Sequence, residues 1–300
     1  GGFIGSHLVE ALVKSEPGVL VTVADIMTEE RHRNLAAVIK DIRVIKTDLR
    51  SPAACRRACR GQDVVLNLVA RVAGVGYNMS HNGTMFLENM KLGLNMIDAA
   101  RREDVGRFLV VSSACVYPRL CAIPTPETEG FRGSPEPSNE GYGWAKRMNE
   151  FLGAAYAAEF GMEVAIARPY NAYGPRDHFD PKKSHVIAAL IRRVVAGEDP
   201  VLVWGDGKAT RAFLYVEDFV RGLLAVAERH PRADPVNIGS SEEISIRDLA
   251  RAVVKAAGSK AKLVFDPSKP SGQPRRCCDT RKARRLIGFQ TKVGLKEGLL

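Results

Sequence analysis

No apolar run in this chain reaches the roughly 18 residues that a membrane-crossing helix needs, so no membrane partner is expected. The six cysteines form no disulfide framework. Cys55 and Cys59 are one helical turn apart, Cys277 and Cys278 are adjacent, and Cys115 and Cys121 flank a loop. Reduced thiols in a cytoplasmic setting are expected. Paired four-ligand spacing is missing, so no metal is expected. Internal repeats and low-complexity tracts are absent, and Lys and Arg are spread along the chain rather than gathered in a tail. With no aromatic-rich recognition motif either, nucleic acid is not an expected partner. No leader is visible, but the chain opens on Gly1-Gly2-Phe3-Ile4-Gly5, which reads as the middle of a motif, and stops after Gly298-Leu299-Leu300. A fragment at both ends is therefore expected, with its first strand missing.

What remains is an ordinary globular composition, 45% hydrophobic and 26% charged, over 300 residues with a net charge of +10. That charge suits phosphate-bearing small molecules. Apolar, β-branched runs at 19–23, 42–45, 64–69, 108–111 and 164–167 alternate with helix-period stretches such as 86–102 and 146–160. Strands apolar on both faces and separated by helices indicate an α/β fold with a doubly wound parallel sheet. The stretches 118–139 and 171–184 read as long, irregular loops, and the later periodicity is mixed. A division follows: residues 1–172 and 211–240 as a dinucleotide domain, and 173–210 and 241–300 as a smaller α/β substrate domain.

Gly2-Phe3-Ile4-Gly5-Ser6 suits the end of a glycine-rich dinucleotide turn. Gly2 would let backbone approach a pyrophosphate, and Gly5 would let the following helix pack closely, its N-terminus toward the phosphates. Asp25 ends the next strand, where a carboxylate can bind the adenosine ribose hydroxyls. It disfavours a 2′-phosphate, so NAD is preferred over NADP, although Arg31 and Arg33 leave NADP open. Asp48-Leu49, after another strand, fits an adenine-edge contact.

Tyr142 and Lys146 open a helix at i and i+4, so phenol and ammonium share a face. The ammonium is expected to lower the tyrosine pKa. Tyr142 would then exchange a proton with a sugar hydroxyl while hydride passes to or from a nicotinamide. Lys146 also suits the nicotinamide ribose. Ser113, at the end of an earlier strand, is placed to bind the same oxygen.

At this point the chain resembles the extended short-chain dehydrogenase/reductases, the NAD-dependent epimerase/dehydratase family. The glycine turn, Asp25, Ser113, the Tyr142/Lys146 pair and Arg168-Pro169-Tyr170-Asn171-Ala172-Tyr173-Gly174-Pro175 fall in the family's order. The resemblance implies a Rossmann-type NAD(P) domain, a small substrate domain and a homodimer. It adds Phe3, Ile4, Ala70 and Tyr170 to the cofactor candidates. Glu136-Pro137-Ser138-Asn139-Glu140, Ser184-His185-Val186-Ile187 and Val203-Trp204-Gly205-Asp206-Gly207 resemble most closely the branch that acts on GDP-linked sugars. That resemblance implies Cys115 and His185 as acid and base beside a 4-keto group. It also implies Asn171, His185, Arg193, Trp204 and Arg211 as contacts of the nucleotide-sugar. Ser271 and Gly143-Trp144 depart from the branch's pattern, and the serine puts one ribose or base contact in question.

The expected activity is a 3,5-epimerase of a GDP-linked hexose or 4-keto-hexose, with or without 4-reduction. A nucleotide-sugar 4-epimerase stays open, since it needs only Ser113, Tyr142 and Lys146. A 4,6-dehydratase is disfavoured, because Ala114-Cys115 follows Ser113 where that chemistry has an Asp-Glu pair. A dinucleotide-binding redox sensor is the non-enzymatic alternative, and such proteins commonly lose the Tyr or the Lys.

Overall fold

Alternation along the central strands decides the architecture. In the computed structural model, which describes residues 1–15, 18–181, 184–269 and 273–300, the elements run in this order. Helix α1 (Phe3–Ser15) leads to β1 (Val21–Asp25), α2 (Glu29–Asn34), β2 (Ile42–Lys46), α3 (Pro52–Cys59) and β3 (Val64–Asn67). Next come α4 (Val75–Ser80), α5 (Asn82–Arg102), β4 (Arg107–Val111), α6 (Glu140–Phe160) and β5 (Glu163–Pro169). Then follow β6 (Ala172–Tyr173), α7 (Val186–Val195), β7 (Val201–Trp204), β8 (Thr210–Ala212), β9 (Leu214–Tyr215) and α8 (Val216–Arg229). The chain ends with β10 (Val236–Ile238), β11 (Glu243–Ser245), α9 (Ile246–Ala256), β12 (Leu263–Asp266), β13 (Arg275–Arg276), α10 (Arg281–Ile287) and α11 (Leu295–Gly298).

Strands β10, β5, β4 and β3 pair in that order, all parallel. Successive side chains of a strand point to opposite faces. Accordingly, Leu109, Ala165 and Ala167 meet α8 on one face, in a core that Ala283, Ile287 and Phe289 complete. Phe108, Val110, Val164 and Ile166 meet α3 and α5 on the other. With both faces covered, the run is apolar throughout, as a parallel sheet requires. This is a Rossmann-type α/β fold. Among the described residues, β1 pairs only with β2, and β3 only with β4.

The first described strand starts two residues later than the apolar run suggests. Val19 and Leu20 are 48% and 92% exposed, and pairing begins only where Val21 meets Ile42. A third core joins Ile187, Leu190 and Val194 of α7, Val201 and Val203 of β7, and Leu249 and Val253 of α9. The long stretch 118–139 is ordered by short 3-10 turns at Glu127–Phe131 and Pro137–Asn139 and by a bridge between Pro118 and Pro135.

Behind the strand ends lies a fully buried ion pair. Arg168 of β5 and Glu150 of α6 are each 2% exposed. Arg168 Nε donates to Glu150 Oε1 at 2.8 Å and Nη2 to Oε2 at 2.6 Å. Its Nη1 donates to the Tyr117 hydroxyl and the Glu127 carbonyl. Ser112 donates to the same Glu150 oxygen as Arg168 Nε. Burial opposes the Arg168 charge, but the bonds and charge of Glu150 more than reverse it and hold the guanidinium above its ordinary value. Removing one partner of such a pair strands the other charge. Glu150→Gln is therefore expected to cost about 3–5 kcal/mol in urea unfolding. A loss under about 1 kcal/mol would contradict this account.

Candidate active site

The site forms where β4 ends and α6 begins. Ser113 leaves β4 extended and caps the 3-10 turn Ala114–Val116, its hydroxyl accepting from the Cys115 amide at 3.1 Å. Tyr142 and Lys146 lie in the first turns of α6. Two glycines bring that helix close. A β-carbon on Gly143 would lie 2.5 Å from the Cys115 carbonyl oxygen and 2.6 Å from Pro135 Cβ, and one on Gly141 would strike the Asn82 backbone. The Gly143 departure noted in the sequence therefore sets how near Cys115 comes to Tyr142.

The electrostatics confirm the proximity and correct one expectation. Burial pushes the Tyr142 phenol well above its ordinary value, negative charge on Cys115 adds to this, and a hydrogen bond with Ser113 opposes it. Lys146 does not lower it. Burial pushes the Lys146 ammonium down to about 8, against the pull of Cys115 and Glu150. Its Nζ donates to the Val111 carbonyl at 2.7 Å and stands 5.5 Å from the Tyr142 ring centre. Desolvation of the phenol thus outweighs the Ser113 hydrogen bond, while the Lys146 ammonium is engaged with the Val111 carbonyl.

Among the dinucleotide candidates, Gly2, Phe3, Ile4 and Gly5 lie at the start of α1. A β-carbon on Gly2 or Gly5 would meet no protein atom within 4 Å. Open space thus lies over the helix N-terminus, where backbone N–H groups favour an anion. The residues fit a bound dinucleotide. Phe3 and Ile4 form the first turn. Asp25, the last residue of β1, accepts from the Met27 amide at 3.0 Å and pairs with Arg31. Asp48 is exposed and chelated by Arg50, while Leu49 is buried in the core, leaving only its backbone for a ligand. Ala70 is half-buried just beyond β3. Tyr170 is 3% exposed against Tyr117 and Cys278, and its amide donates to the Ile238 carbonyl. Its ring is therefore core rather than a cofactor contact.

The substrate candidates are more dispersed. His185 is exposed at the N-cap of α7. Its charge reaches buried Asp177, where burial raises the carboxyl and the His178 amide, His185 and His178 pull it down. Asn171 donates its side-chain amide to the Ala212 carbonyl at 3.1 Å. Arg193 bonds the Leu202 carbonyl and lies 3.9 Å from Glu198. Trp204 is 53% exposed at the end of β7. Arg211 is lowered to about 10 by burial and by Arg276, against the pull of Glu136. Arg276 was missed in the sequence. It is the register partner of Arg211 on β13, a pairing hidden between distant segments. Ser271 lies outside the described residues.

The signs for Lys146 give a test. Below pH 8 both folded and unfolded chains hold the proton, and the folded state bears the full burial penalty. As pH rises past 8 the folded state sheds the proton, so stability climbs toward the unfolded lysine range near 10.4. Lys146→Met should be the more stable protein at pH 7, by up to roughly 3 kcal/mol, with the gap closing toward pH 10. A gap independent of pH would refute the burial account.

Comparison with known proteins places the chain in a family. Residues 1–239 match the model of the NAD dependent epimerase/dehydratase family. The chain is 36% identical to GDP-L-fucose synthase of Escherichia coli over 79% of its own length and 78% of the relative's. It is 31% identical to GDP-mannose 3,5-epimerase of Arabidopsis thaliana over 100% of its length and 78% of the relative's. A UDP-glucose 4-epimerase structure from Thermotoga maritima superposes with a TM-score of 0.88 at 27% identity, covering 99% of this chain and 93% of that one.

Proposed function

Because the chain belongs to the NAD dependent epimerase/dehydratase family and is an NAD(P)-dependent enzyme of nucleotide-sugars, we propose that it is a 3,5-epimerase. Its substrate is a GDP-linked hexose or 4-keto-hexose, with 4-reduction as an added step rather than a requirement. The observation that carries this is Cys115, held beside the Ser113/Tyr142/Lys146 group by the close approach of Gly143. A 4-epimerase has no use for a thiol there.

Protons next to the C4 ketone are acidic because the electron pair left behind moves onto the C4 oxygen. Ser113 and the raised phenol of Tyr142 donate hydrogen bonds to that oxygen as charge develops. Cys115 and His185 remove a proton from one face and return one to the other, as a thiol and an imidazole can. In a reductive step, Tyr142 gives its proton to the C4 oxygen, and Lys146 holds the nicotinamide ribose. The dinucleotide, when bound, supplies the hydride exchange, and Asp25 favours NAD. Arg211 and Arg276 suit the substrate pyrophosphate as planar forks, Asn171 lies beside Arg211 through its bond to the Ala212 carbonyl, Trp204 suits the base, and Arg193 is a further candidate contact of the nucleotide-sugar. The substrate part comprises residues 173–210 and the segment after 240 apart from α10 and Phe289, which pack under α8 on the first sheet, and the proposed compartment is the cytoplasm.

The test is deuterium incorporation at C3 and C5 of GDP-mannose and of GDP-4-keto-6-deoxymannose in D2O, followed by NMR with and without NADH or NADPH. Cys115→Ser and His185→Gln are each expected to slow exchange about 10²–10⁴-fold. Exchange that survives the double variant removes the acid/base pair. Absence of exchange together with C4 inversion of another nucleotide-sugar replaces the reading by a 4-epimerase.

The protein is further proposed to form a homodimer. Leu87 and Leu94 on α5 and Phe151 on α6 present apolar side chains to solvent from two helices packed together. Sedimentation should show a dimer at micromolar concentration, and Leu94→Glu with Phe151→Glu should give a monomer. A monomeric parent protein would end this proposal.

A further inference from the structure

A five-residue stretch after β6, Gly174 to His178, is tied to both helices that border the dinucleotide turn. Arg176 Nη1 donates to the Ser6 hydroxyl at 3.1 Å, and Nη2 donates to Glu10 Oε1 at 2.5 Å, both on α1. His7 of α1 hydrogen-bonds the Pro175 carbonyl at 2.9 Å. His178 lies 3.7 Å from Glu30 of α2, next to the Arg31 that holds Asp25. Three ties from one short stretch therefore converge on the cofactor side of the molecule.

Arg176 adopts φ +67°, the left-handed region that an arginine disfavours and a glycine takes freely. The conformation is maintained by what the side chain reaches. Ser6 is fully buried and directly follows Gly5, and its own hydroxyl donates to the Phe3 carbonyl. The guanidinium fork thus ends on the first turn of α1, on the residue adjoining the amides that face an anion. In the other direction the segment leads through buried Asp177 to His185 at the N-cap of α7.

We propose that Arg176 is a positioning residue, coupling occupancy of the dinucleotide turn to the order of the stretch Gly174 to His178. The inference rests on the dinucleotide reading of Gly2 to Gly5, and not on the sugar chemistry. A ligand that orders the first turn of α1 fixes Ser6. Ser6 and Glu10 then fix the guanidinium, and with it the backbone from Gly174 to His178. The coupling is reciprocal, since each event stabilises the other by the same free energy.

Amide hydrogen exchange tests this without substrate. In the parent protein, NAD+ is expected to slow exchange across residues 174–181 at least fivefold. Arg176→Gly keeps the left-handed turn and removes the fork. It should still be saturated by NAD+, at a Kd weakened by no more than about the factor of the lost slowing, yet show no slowing in 174–181. Arg176→Lys, which keeps the charge but not the fork, should restore part of the slowing. Glu10→Gln breaks the same contact from α1 and should reproduce the loss if Arg176→Gly folds poorly. NAD+-dependent slowing that is unchanged in Arg176→Gly and Glu10→Gln, or absent from the parent despite NAD+ binding, overturns the coupling alone. Failure of the parent to bind any nicotinamide dinucleotide overturns the dinucleotide reading, and the coupling with it.

Discussion

The buried pair between Arg168 and Glu150 is the constraint on which the site depends. Neither charge reaches water, so each needs the other and a full set of hydrogen bonds. Those bonds reach in three directions: to Ser112 at the end of β4, to Tyr117 beyond the 3-10 turn, and to the Glu127 carbonyl in the long connection. Tyr117 passes the tie on to Asn237 of β10 at 2.6 Å. One ionic contact therefore locks β4, β5, α6 and β10 into a single register. Ser113 follows Ser112, and Lys146 precedes Glu150 by one helical turn, so the catalytic candidates inherit their spacing from it. A pair of hydrophobic residues could fill the volume, but not with the directionality that sets where Ser113 and Lys146 point.

Close backbone approach supplies the second half of the geometry. Gly141 and Gly143 flank Tyr142 and leave no room for a side chain toward Asn82 or Cys115. The helix start is thus wedged between α5 and the 3-10 turn. Moving Cys115 relative to Tyr142 would require moving a helix, not a rotamer. That rigidity matters for proton transfer, in which a misplacement of an ångström is costly.

Much of this was legible in the sequence. The unbroken apolar runs at 108–111 and 164–167, set between helix-period stretches, announced a sheet covered on both faces, and the Tyr142/Lys146 spacing placed phenol and ammonium together. The start of β1 was not legible, because Val19 and Leu20 are as apolar as the strand they precede and only the partner strand decides where pairing begins. Arg276 escaped because its meaning lies in its register with Arg211, a long-range fact. Tyr170 sits in a family motif, yet packing against Tyr117 and Cys278 turned its ring into core. The Tyr142 titration was read from charge alone, while the structure adds the desolvation that outweighs it.

That last difference bears on the chemistry. Burial drives both members of the proposed redox pair toward their neutral forms, with Lys146 lowered to about 8 and the phenol raised. A protonated phenol is a hydrogen-bond donor at any working pH and a poor base. Handling a ketone needs a donor at the C4 oxygen, first to stabilise the enolate and then to protonate an alkoxide. Removing hydride from an alcohol needs a base at the same atom. The raised phenol is in keeping with the proposed role of Tyr142 as a donor to the oxygen of a 4-keto sugar. An enzyme that begins by oxidising an alcohol would have to draw the Lys146 charge away from the Val111 carbonyl and toward Tyr142 when its ligands bind.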